Sequence, residues 1–471
     1  MDDPSGITRR EFLKSGAETT AGLAALGGVA YVAGPRRVLG ANDRVRLGVC
    51  GVRGRGWDHI EGFSGLPNVE IAALCEIDSS VLANRLAAMQ RKGLPQPATF
   101  TDVRKLLDDH SIDAISIATP NHWHSLMGVW ACQAGKDVYC EKPCCHNAWE
   151  GAQLVAAAKK YNRIVEHGTQ SRSASAIREA IDHLRNGTIG EVYLARGLCY
   201  KWRDTIGRAA VEPVPAGVDY DLWTGPAPLK PFTKNRFHYN WHWIWDTGNG
   251  DIGNQGVHEM DIARWGLGHS WPNRVSAVGG HFMFDDDQQT PNTLNCAFEY
   301  DLPNGKRQML EFEVRHWITN HEAGIGTSAF GSEGVPQAGL EPHKAMFGGG
   351  DTIGNIFYGS EGYLAIDGYD SYRTWLGRKQ EPGPGNNGGG NHWANFIDCV
   401  RSRNAQDLNA PIDEGYYSAA LVHLANASYR LGRALSVNPA TGEVLHDDQA
   451  SQMLRDGDRG YRPPYVVPQD V

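Results

Sequence analysis

Short apolar runs alternate with amphipathic stretches along residues 45–170. Runs of strand length start at Val45, Val69, Ile112 and Lys136, and the stretches between them repeat apolar residues at helical spacing. This alternation predicts an α/β domain with a doubly wound parallel sheet. Such sheets bind ligands at the carboxyl ends of their strands, so the loops that follow these runs are candidate binding loops.

The pattern changes after about residue 190, where polar and apolar residues alternate in a way typical of antiparallel strands. The candidate strands are residues 192–200, 275–284, 293–300, 306–314, 355–359 and 362–367. Glycine-rich residues 324–354 and 380–390 predict long surface loops. Residues 391–400 and 414–431 predict helices, and the last residues predict an extended tail.

The composition is that of an ordinary globular protein. The chain has 471 residues, of which 41% are hydrophobic and 21% charged, enough for two or three domains. The net charge is −9 and no Lys/Arg run occurs, which disfavours nucleic-acid binding. Nine cysteines is an odd number, Cys144 and Cys145 are adjacent, and no CxxC pair occurs, which disfavours a disulfide framework or a structural zinc site.

The N-terminal residues predict export. Residues 8–14 read Thr-Arg-Arg-Glu-Phe-Leu-Lys, a twin-arginine motif, and an uncharged run follows at 19–34. That run is too short and too rich in Gly and Ala for a spanning helix. We therefore expect residues 1–40 to be a twin-arginine signal and the protein to be periplasmic or otherwise exported. The signal is either cleaved, near Ala33 to Ala41, or kept as an uncleaved anchor.

A glycine loop follows the first strand, before a helix. In a loop of this kind the backbone approaches a pyrophosphate, whose charge lies at the helix N-terminus. The loop departs from the G-x-G-x-x-G pattern, because Arg53 takes the middle glycine position. The candidate cofactor-binding residues here are Gly51, Val52, Arg53, Gly54, Arg55 and Gly56.

The next candidates follow later strands. Glu76 ends the second strand, where a carboxylate accepts hydrogen bonds from a ribose and repels a 2′-phosphate, which favours NAD over NADP. Arg53 and Arg55 could still hold an extra phosphate. Thr119, Pro120, Asn121 and His122 end the fourth strand and are further cofactor candidates. No metal site is expected, since His122 and His124 lack a nearby carboxylate or Cys set.

Residues 248–261 form a glycine-rich entry to a helix that carries His258. Asp251, Asn254, His258 and Asp261 are spaced by three and four residues, which predicts one shared helix face. A buried core histidine is the alternative. Just before this stretch, Trp241, Trp243 and Trp245 alternate as on a strand and could stack on sugar rings; packing residues are the alternative here.

These residues, together with Glu141-Lys142-Pro143 after the fifth strand, carry a resemblance. The chain resembles the Gfo/Idh/MocA family of NAD(P)-dependent sugar and cyclitol oxidoreductases over nearly all residues after the predicted signal. The resemblance implies a Rossmann-type dinucleotide-binding domain at 41–170 and a substrate and oligomerisation domain with an open sheet at 171–390. It also implies helices at 391–471 that pack back on the first domain, and a homo-oligomer, dimer or tetramer.

The resemblance also implies roles for single residues. Lys142 lies beside the nicotinamide and hydrogen-bonds the substrate hydroxyl, Glu141 belongs to the same cofactor motif, and His258 is the base. Near a cationic nicotinamide, the ammonium form of Lys142 is disfavoured, which helps proton transfer. Asn254 stands where the family usually has Asp and cannot take up a proton, so Asp251 is a candidate for part of that role. Gln170 and Arg172 are expected to reach the cleft.

We therefore expect an exported oxidoreductase that transfers hydride between a sugar, sugar derivative or cyclitol hydroxyl and tightly bound NAD. One alternative is an NAD-dependent glycosidase that oxidises a sugar carbon, eliminates the glycosidic substituent, adds water and reduces again. The other is a sugar-binding protein that kept the fold and lost the chemistry.

Overall fold

The computed structural model of the protein describes residues 44–317, 320–326, 351–456 and 460–471. These residues belong to one unit that spans Val38–Val471. The twin-arginine motif and most of the glycine-rich stretch 324–354 lie outside the described residues. Within them, no helix is both long and apolar enough to cross a membrane.

The first sheet has six parallel strands in the order β3-β2-β1-β4-β5-β6. The strands are β1 Val45–Cys50, β2 Val69–Cys75, β3 Ala98–Phe100, β4 Ala114–Ile117, β5 Asp137–Cys140 and β6 Val165–His167. The helices between them are α1 Arg55–Ser64, α2 Ser79–Arg91, α3 Val103–Leu107, α4 Asn121–Gln133 and α5 Ala148–Lys160. The predicted doubly wound parallel sheet is confirmed.

The second sheet has ten described strands in the order β14-β13-β12-β11-β7-β10-β9-β8-β15-β16. They are β7 Val192–Lys201, β8 Arg274–Gly280, β9 Thr293–Asp301, β10 Arg307–His316, β11 Thr352–Gly359, β12 Gly362–Asp367, β13 Ser371–Leu376, β14 Glu381–Asn387, β15 Leu435–Val437 and β16 Val444–Leu445. β7 and β10 pair in parallel and the other neighbours are antiparallel, which confirms a mainly antiparallel sheet.

The predicted loop at residues 380–390 is wrong. Glu381–Asn387 forms β14 and pairs with β13 at the edge of the second sheet. Pro382 and Pro384 have no backbone N–H to donate to a neighbouring strand, and an edge strand tolerates this because one of its sides is unpaired. The glycines and prolines hid the strand because they removed the alternating pattern.

Seven α-helices in the described residues accompany the second sheet or follow it. They are α6 Ser175–Arg185, α7 Tyr220–Thr224, α8 Asp251–Asn254, α9 Gly256–Leu267, α10 His392–Ser402, α11 Ile412–Leu431 and α12 Asp448–Asp456. Val257 of α9 and Leu421 of α11 lie in one buried cluster with Phe312 of β10. Phe396 of α10 instead packs with Val49 of β1, so this helix covers part of the first sheet.

Candidate active site

A cavity of about 330 Å³ lies where β1, β2, β4 and β5 end. Twelve of the predicted site residues line it: Gly51, Arg53, Gly54, Arg55, Glu76, Thr119, Pro120, Asn121, Glu141, Lys142, Trp241 and Asn254. Their distant positions in the chain meet because the carboxyl ends of parallel strands share one edge of a sheet.

The glycine loop has the geometry that close approach to a dinucleotide requires. Gly51 has a φ of +78°, and a Cβ on Gly56 would lie 1.8 Å from the Gly51 carbonyl oxygen. Glycine at these positions lets α1 start tightly against the loop, with its N-terminus toward the cavity. Arg53 is exposed at the cavity wall, whereas Val52 is buried beneath it. This loop fits a pyrophosphate.

Glu76 is fixed by backbone donors. Its carboxylate accepts hydrogen bonds from the backbone N–H groups of Val52 at 2.9 Å, Ile77 at 2.9 Å and Asp78 at 3.2 Å. Burial raises the pKa of Glu76, and these donors oppose the shift. The carboxylate is thus held at the strand end, against the cavity, where a ribose would lie in a bound dinucleotide.

Residues 202–250, between β7 and α8, form the opposite wall; we call them the cover segment. Backbone contacts attach it just beyond Glu76: the Asp219 N–H donates to the Ile77 carbonyl at 3.0 Å and the Ser79 N–H to the Gly217 carbonyl at 2.9 Å. Its side chains at the cavity are Leu222, Trp223, Phe237, His238, Tyr239, Trp241 and His242. The C-terminal tail braces it, since Arg462 Nε donates to the Gly225 carbonyl at 3.0 Å.

Glu141 organises the end of β5. Arg55 Nε donates to its Oε1 at 2.7 Å, and His59 Nε2 lies 3.0 Å from the same oxygen. Burial alone would raise the pKa of Glu141, but the Arg55 charge and the His59 hydrogen bond hold it well below its usual range. Arg55 therefore links the glycine loop to the residue before Lys142.

Lys142 lies at the cavity and is tied to the second domain. Its Nζ donates to the backbone carbonyl of Asn254 at 2.5 Å. Burial lowers the pKa of Lys142 to about 8, with Arg55 and Lys201 adding to the shift, while Glu141 and Asp251 oppose it. An amine with this pKa exchanges a proton readily near neutral pH.

His258, in the first turn of α9, is almost fully buried. Its Nδ1 has no hydrogen-bond partner among the residues that the structure describes. Burial, followed by the charge of Lys142, lowers its pKa well below the ordinary value, so the imidazole is neutral. The ring meets Tyr369 edge-on, with centroids 5.3 Å apart. A neutral imidazole with an unused ring nitrogen suits a proton acceptor.

The predicted shared helix face is wrong. The helix is interrupted at Gln255, so Asp251 belongs to α8 and His258 to α9. Asp251 points to Arg203, with Arg203 Nε donating to its Oδ2 at 2.6 Å, and is outside the cavity lining. Asp261 points elsewhere and accepts from Arg172 Nε at 2.7 Å.

The three tryptophans do not alternate on a strand. Asn240–Trp243 is a 3-10 turn. The Gly250 N–H donates to the His242 carbonyl at 2.9 Å, and the Thr247 hydroxyl donates to the Trp241 carbonyl at 2.9 Å. Trp241 alone of the three lines the cavity. Trp243 packs under the Arg203 guanidinium and Trp245 under that of Arg430, as the packing alternative expects.

His258 is not among the residues that line the cavity, and three more candidates also lie outside the lining. Arg172 is buried and pairs with Asp261 and with Glu414 at 3.0 Å, so its charge is already matched. His122 is buried, with Nε2 3.0 Å from the Trp223 carbonyl oxygen. Gln170 is half-buried, and its Oε1 has no partner within the described ranges.

The sequence interpretation missed several residues on the second-domain side of the site, where it had named Trp241 and Asn254. Phe237, His238, Tyr239 and Arg203 belong to the cover segment, and Tyr369 follows β12. Only the aromatic density of residues 237–245 gave a signal for part of this set. Nothing in the sequence around Arg203 or Tyr369 marks them.

A parallel sheet with a glycine loop, an acidic strand end and a Lys–His pair defines the class of a nucleotide-dependent oxidoreductase, and comparison with known proteins agrees. The family model described as an oxidoreductase family with an NAD-binding Rossmann fold matches residues 45–169. That for the C-terminal alpha/beta domain matches residues 176–296 and 385–464. The chain belongs to the Gfo/Idh/MocA family of NAD(P)-dependent oxidoreductases.

Individual relatives are more distant. A glycosyl hydrolase family 109 protein of Shewanella baltica is 30% identical over 206 residues, which is 40% of this chain and 44% of that protein. The match thus spans less than half the length of this curated relative. Three solved structures share the fold over 84% of this chain. Aldose-aldose oxidoreductase of Caulobacter crescentus with glycerol has a TM-score of 0.60 and 18% identity over 100% of its chain, and levoglucosan dehydrogenase with NADH and levoglucosan has a TM-score of 0.60 and 17% identity over 99% of its chain. The WlbA dehydrogenase of Bordetella pertussis with NADH and UDP-GlcNAcA has a TM-score of 0.58 and 18% identity over 99% of its chain.

Proposed function

We propose that the protein oxidises, or in reverse regenerates, a CH–OH group of a sugar, sugar derivative or cyclitol. The observation that carries this proposal is the contact of Lys142 Nζ, at the cavity, with the backbone carbonyl of Asn254, four residues before His258. The charge of Lys142 also lowers the pKa of His258, in keeping with a neutral imidazole near the ammonium. The carbohydrate class is supported by what the relatives' names state, aldose and levoglucosan among them.

Different residues of the chain would bind the cofactor, move the proton and position the substrate. The glycine loop and Glu76 hold NAD, which when bound supplies the hydride acceptor. The neutral His258 ring takes the proton from the substrate hydroxyl. The Lys142 ammonium donates to the same oxygen and stabilises its developing charge. Asn254 positions Lys142 through its backbone carbonyl, and Trp241 offers an aromatic face to the sugar ring.

The test is to add NAD and a panel of sugars, cyclitols and glycosides and to follow near-UV absorbance of reduced nicotinamide. One substrate class should produce the band in the wild type, and Lys142→Met and His258→Ala should each lower its rate by at least about 10²-fold. Lys159→Met, on the exposed end of α5, is the matched control. Full activity in both site variants would contradict the roles proposed for Lys142 and His258, whereas NAD binding without any turnover in the wild type would favour the non-catalytic sugar-binding protein.

We also propose that NAD stays bound between turnovers. The cover segment supports this, because it is attached beside Glu76 and walls the cavity with aromatic side chains. Denaturing the purified protein should then release about one nicotinamide dinucleotide per chain, without added NAD. A protein that loses its dinucleotide on gel filtration would contradict tight binding.

Export by the twin-arginine route is a further proposal, supported by residues 8–14. Replacing Arg9 and Arg10 with Lys should retain the protein in the cytoplasm of a host with this pathway, and unchanged export would exclude the route. An enzyme exported with its NAD meets little free cofactor, which favours recycling in place.

NAD-dependent glycoside cleavage is the second candidate, favoured by the match to a glycosyl hydrolase family 109 protein. It predicts release of the aglycone from a chromogenic glycoside with no net reduced nicotinamide. Simple oxidation predicts the reverse pattern, so one assay with both readouts separates the two.

A homo-oligomer, dimer or tetramer, is proposed from the second sheet. Val275 and Ala277 of β8 pack on the helix side, so Val278 points to the other face, where it is 71% exposed. Light scattering after gel filtration should give a particle mass that is a multiple of the chain mass. Val278→Asp should reduce that particle mass.

A further inference from the structure

A buried ion pair between Arg203 and Asp251 is connected to Lys142. Arg203 Nε donates to Asp251 Oδ2 at 2.6 Å, and Arg203 Nη2 donates to Asp251 Oδ1 at 3.0 Å. His316 Nε2 lies 2.8 Å from Asp251 Oδ2. The Asp251 side chain is fully buried, so two parallel hydrogen bonds and a third contact fix the plane of its carboxylate.

Two further hydrogen bonds lead from this carboxylate to Lys142. Asn254 Nδ2 donates to Asp251 Oδ1 at 3.1 Å, which orients the residue at the end of α8. The Asn254 backbone carbonyl in turn accepts from Lys142 Nζ at 2.5 Å. These two bonds connect the Asp251 carboxylate to the Lys142 ammonium through one residue.

Arg203 is rigidly placed for this purpose. It follows β7 by two residues, its guanidinium lies 4.9 Å from the Trp243 ring centroid, and a terminal nitrogen donates to the Tyr239 hydroxyl at 3.0 Å. Its charge faces Asp251 and not the cavity, because Arg203 is absent from the cavity wall.

The pair also affects the charge around Lys142. The charged or titratable groups that interact with Lys142 are Glu141 and Arg55 from the first domain, and Lys201, His242, Asp251 and His258 from the second. Asp251 favours the ammonium form of Lys142. Arg203 offsets that charge, since a guanidinium paired with a carboxylate weakens its field at a third group.

We propose that Arg203 is a positioning residue for Lys142, acting through Asp251 and Asn254 to fix the ammonium and to offset the charge of Asp251. The proposal rests on the proposed function, in which Lys142 polarises the substrate oxygen. It adds Arg203 to the site as a residue that touches neither substrate nor cofactor.

The two halves of the pair should shift Lys142 in opposite directions. Arg203→Gln removes the positive charge that offsets Asp251 and leaves the carboxylate with its His316 and Asn254 contacts, so the pKa of Lys142 should rise by about one pH unit. Asp251→Asn leaves Arg203 unmatched, so the pKa should fall by about the same amount. The double variant should return close to the wild type. Unfolding or general loosening would not give shifts of opposite sign.

Competitive acetylation of the full chain as a function of pH, read by peptide mass spectrometry, measures Lys142 directly. Lys159, exposed on α5, is the internal reference for reagent reactivity. Opposite shifts in the single variants and a return in the double variant are expected. No shift, or shifts of the same sign, would overturn the proposal.

Arg203→Lys keeps the charge and loses the paired hydrogen bonds, so it tests positioning and serves if Arg203→Gln does not fold. The midpoint for Lys142 should stay near the wild-type value, whereas kcat should fall about tenfold with little change in KM. An unchanged kcat overturns the positioning role. A wild type without oxidoreductase activity overturns the proposed function instead, and acetylation still decides whether the pair controls Lys142.

Discussion

Lys142 Nζ donates to the backbone carbonyl of Asn254 at 2.5 Å, and this contact joins the end of the first sheet to the segment that enters α9. Lys142 follows a strand of the first domain, while Asn254 lies in the second. The proposed reacting groups therefore come together only when both domains are folded against each other.

The pKa of Lys142 predicts how activity depends on pH. Because Lys142 must be protonated to donate to the substrate oxygen, kcat/KM should fall as the pH rises through about 8. A bound cationic nicotinamide disfavours the Lys142 ammonium, so it should shift this fall in kcat/KM to lower pH. Lys142→Arg, whose side chain stays charged, should be slower but should lose the alkaline fall over the measurable range. A fall that persists in Lys142→Arg would assign it to another group.

Glu76 predicts cofactor choice. Glu76→Ser removes the carboxylate that excludes a 2′-phosphate, while Arg53 stays at the cavity wall. The affinity for NAD should fall about tenfold or more, and the NADP to NAD affinity ratio should rise. Calorimetric titration with both dinucleotides measures this. Glu70→Gln, on the same strand but paired with Arg46 away from the cavity, is the matched control and should leave both affinities unchanged.

The parts of the site that the sequence revealed are those built from local rules. Gly51 and Glu76 follow strands, and strand ends in a parallel sheet meet by topology. Arg203 and Tyr369 reach the site through tertiary packing of an irregular segment and a loop, which leaves no periodic trace. The helix break at Gln255 also escaped prediction, because the spacing of Asp251 and His258 fits a continuous helix equally well.

Trp241 and Trp245 predict a difference in substrate binding. Trp241 lines the cavity and stacks on His242 with centroids 3.6 Å apart, whereas Trp245 packs under Arg430. Trp241→Leu should raise KM for the sugar about five- to tenfold by removing an aromatic face. Trp245→Leu, the same change outside the cavity lining, should leave KM unchanged. Steady-state kinetics measure KM for both variants, and an equal change in the two would count against stacking at Trp241.

Arg172 predicts a loss of stability. It is buried between Asp261, to which Nε donates at 2.7 Å, and Glu414. Arg172→Met removes the guanidinium paired with the buried Asp261 carboxylate and leaves it the Ser418 hydroxyl and the more distant Arg264, which should lower the free energy of unfolding by about 3 kcal/mol. Lys306→Met, which removes an exposed pair with Glu191, should cost at most about 1 kcal/mol. Urea unfolding measures both.

The same network sets a pH dependence for stability. Burial would raise the pKa of Asp261, but Arg172 holds it below the ordinary value. A depressed carboxyl pKa stabilises the folded state above the unfolded pKa, and that stabilisation is lost as pH falls through the folded pKa. The stability gap between wild type and Arg172→Met should therefore be full at neutral pH and narrow in acid. A gap that is constant from neutral to acid pH would show that Arg172 stabilises the fold by packing alone.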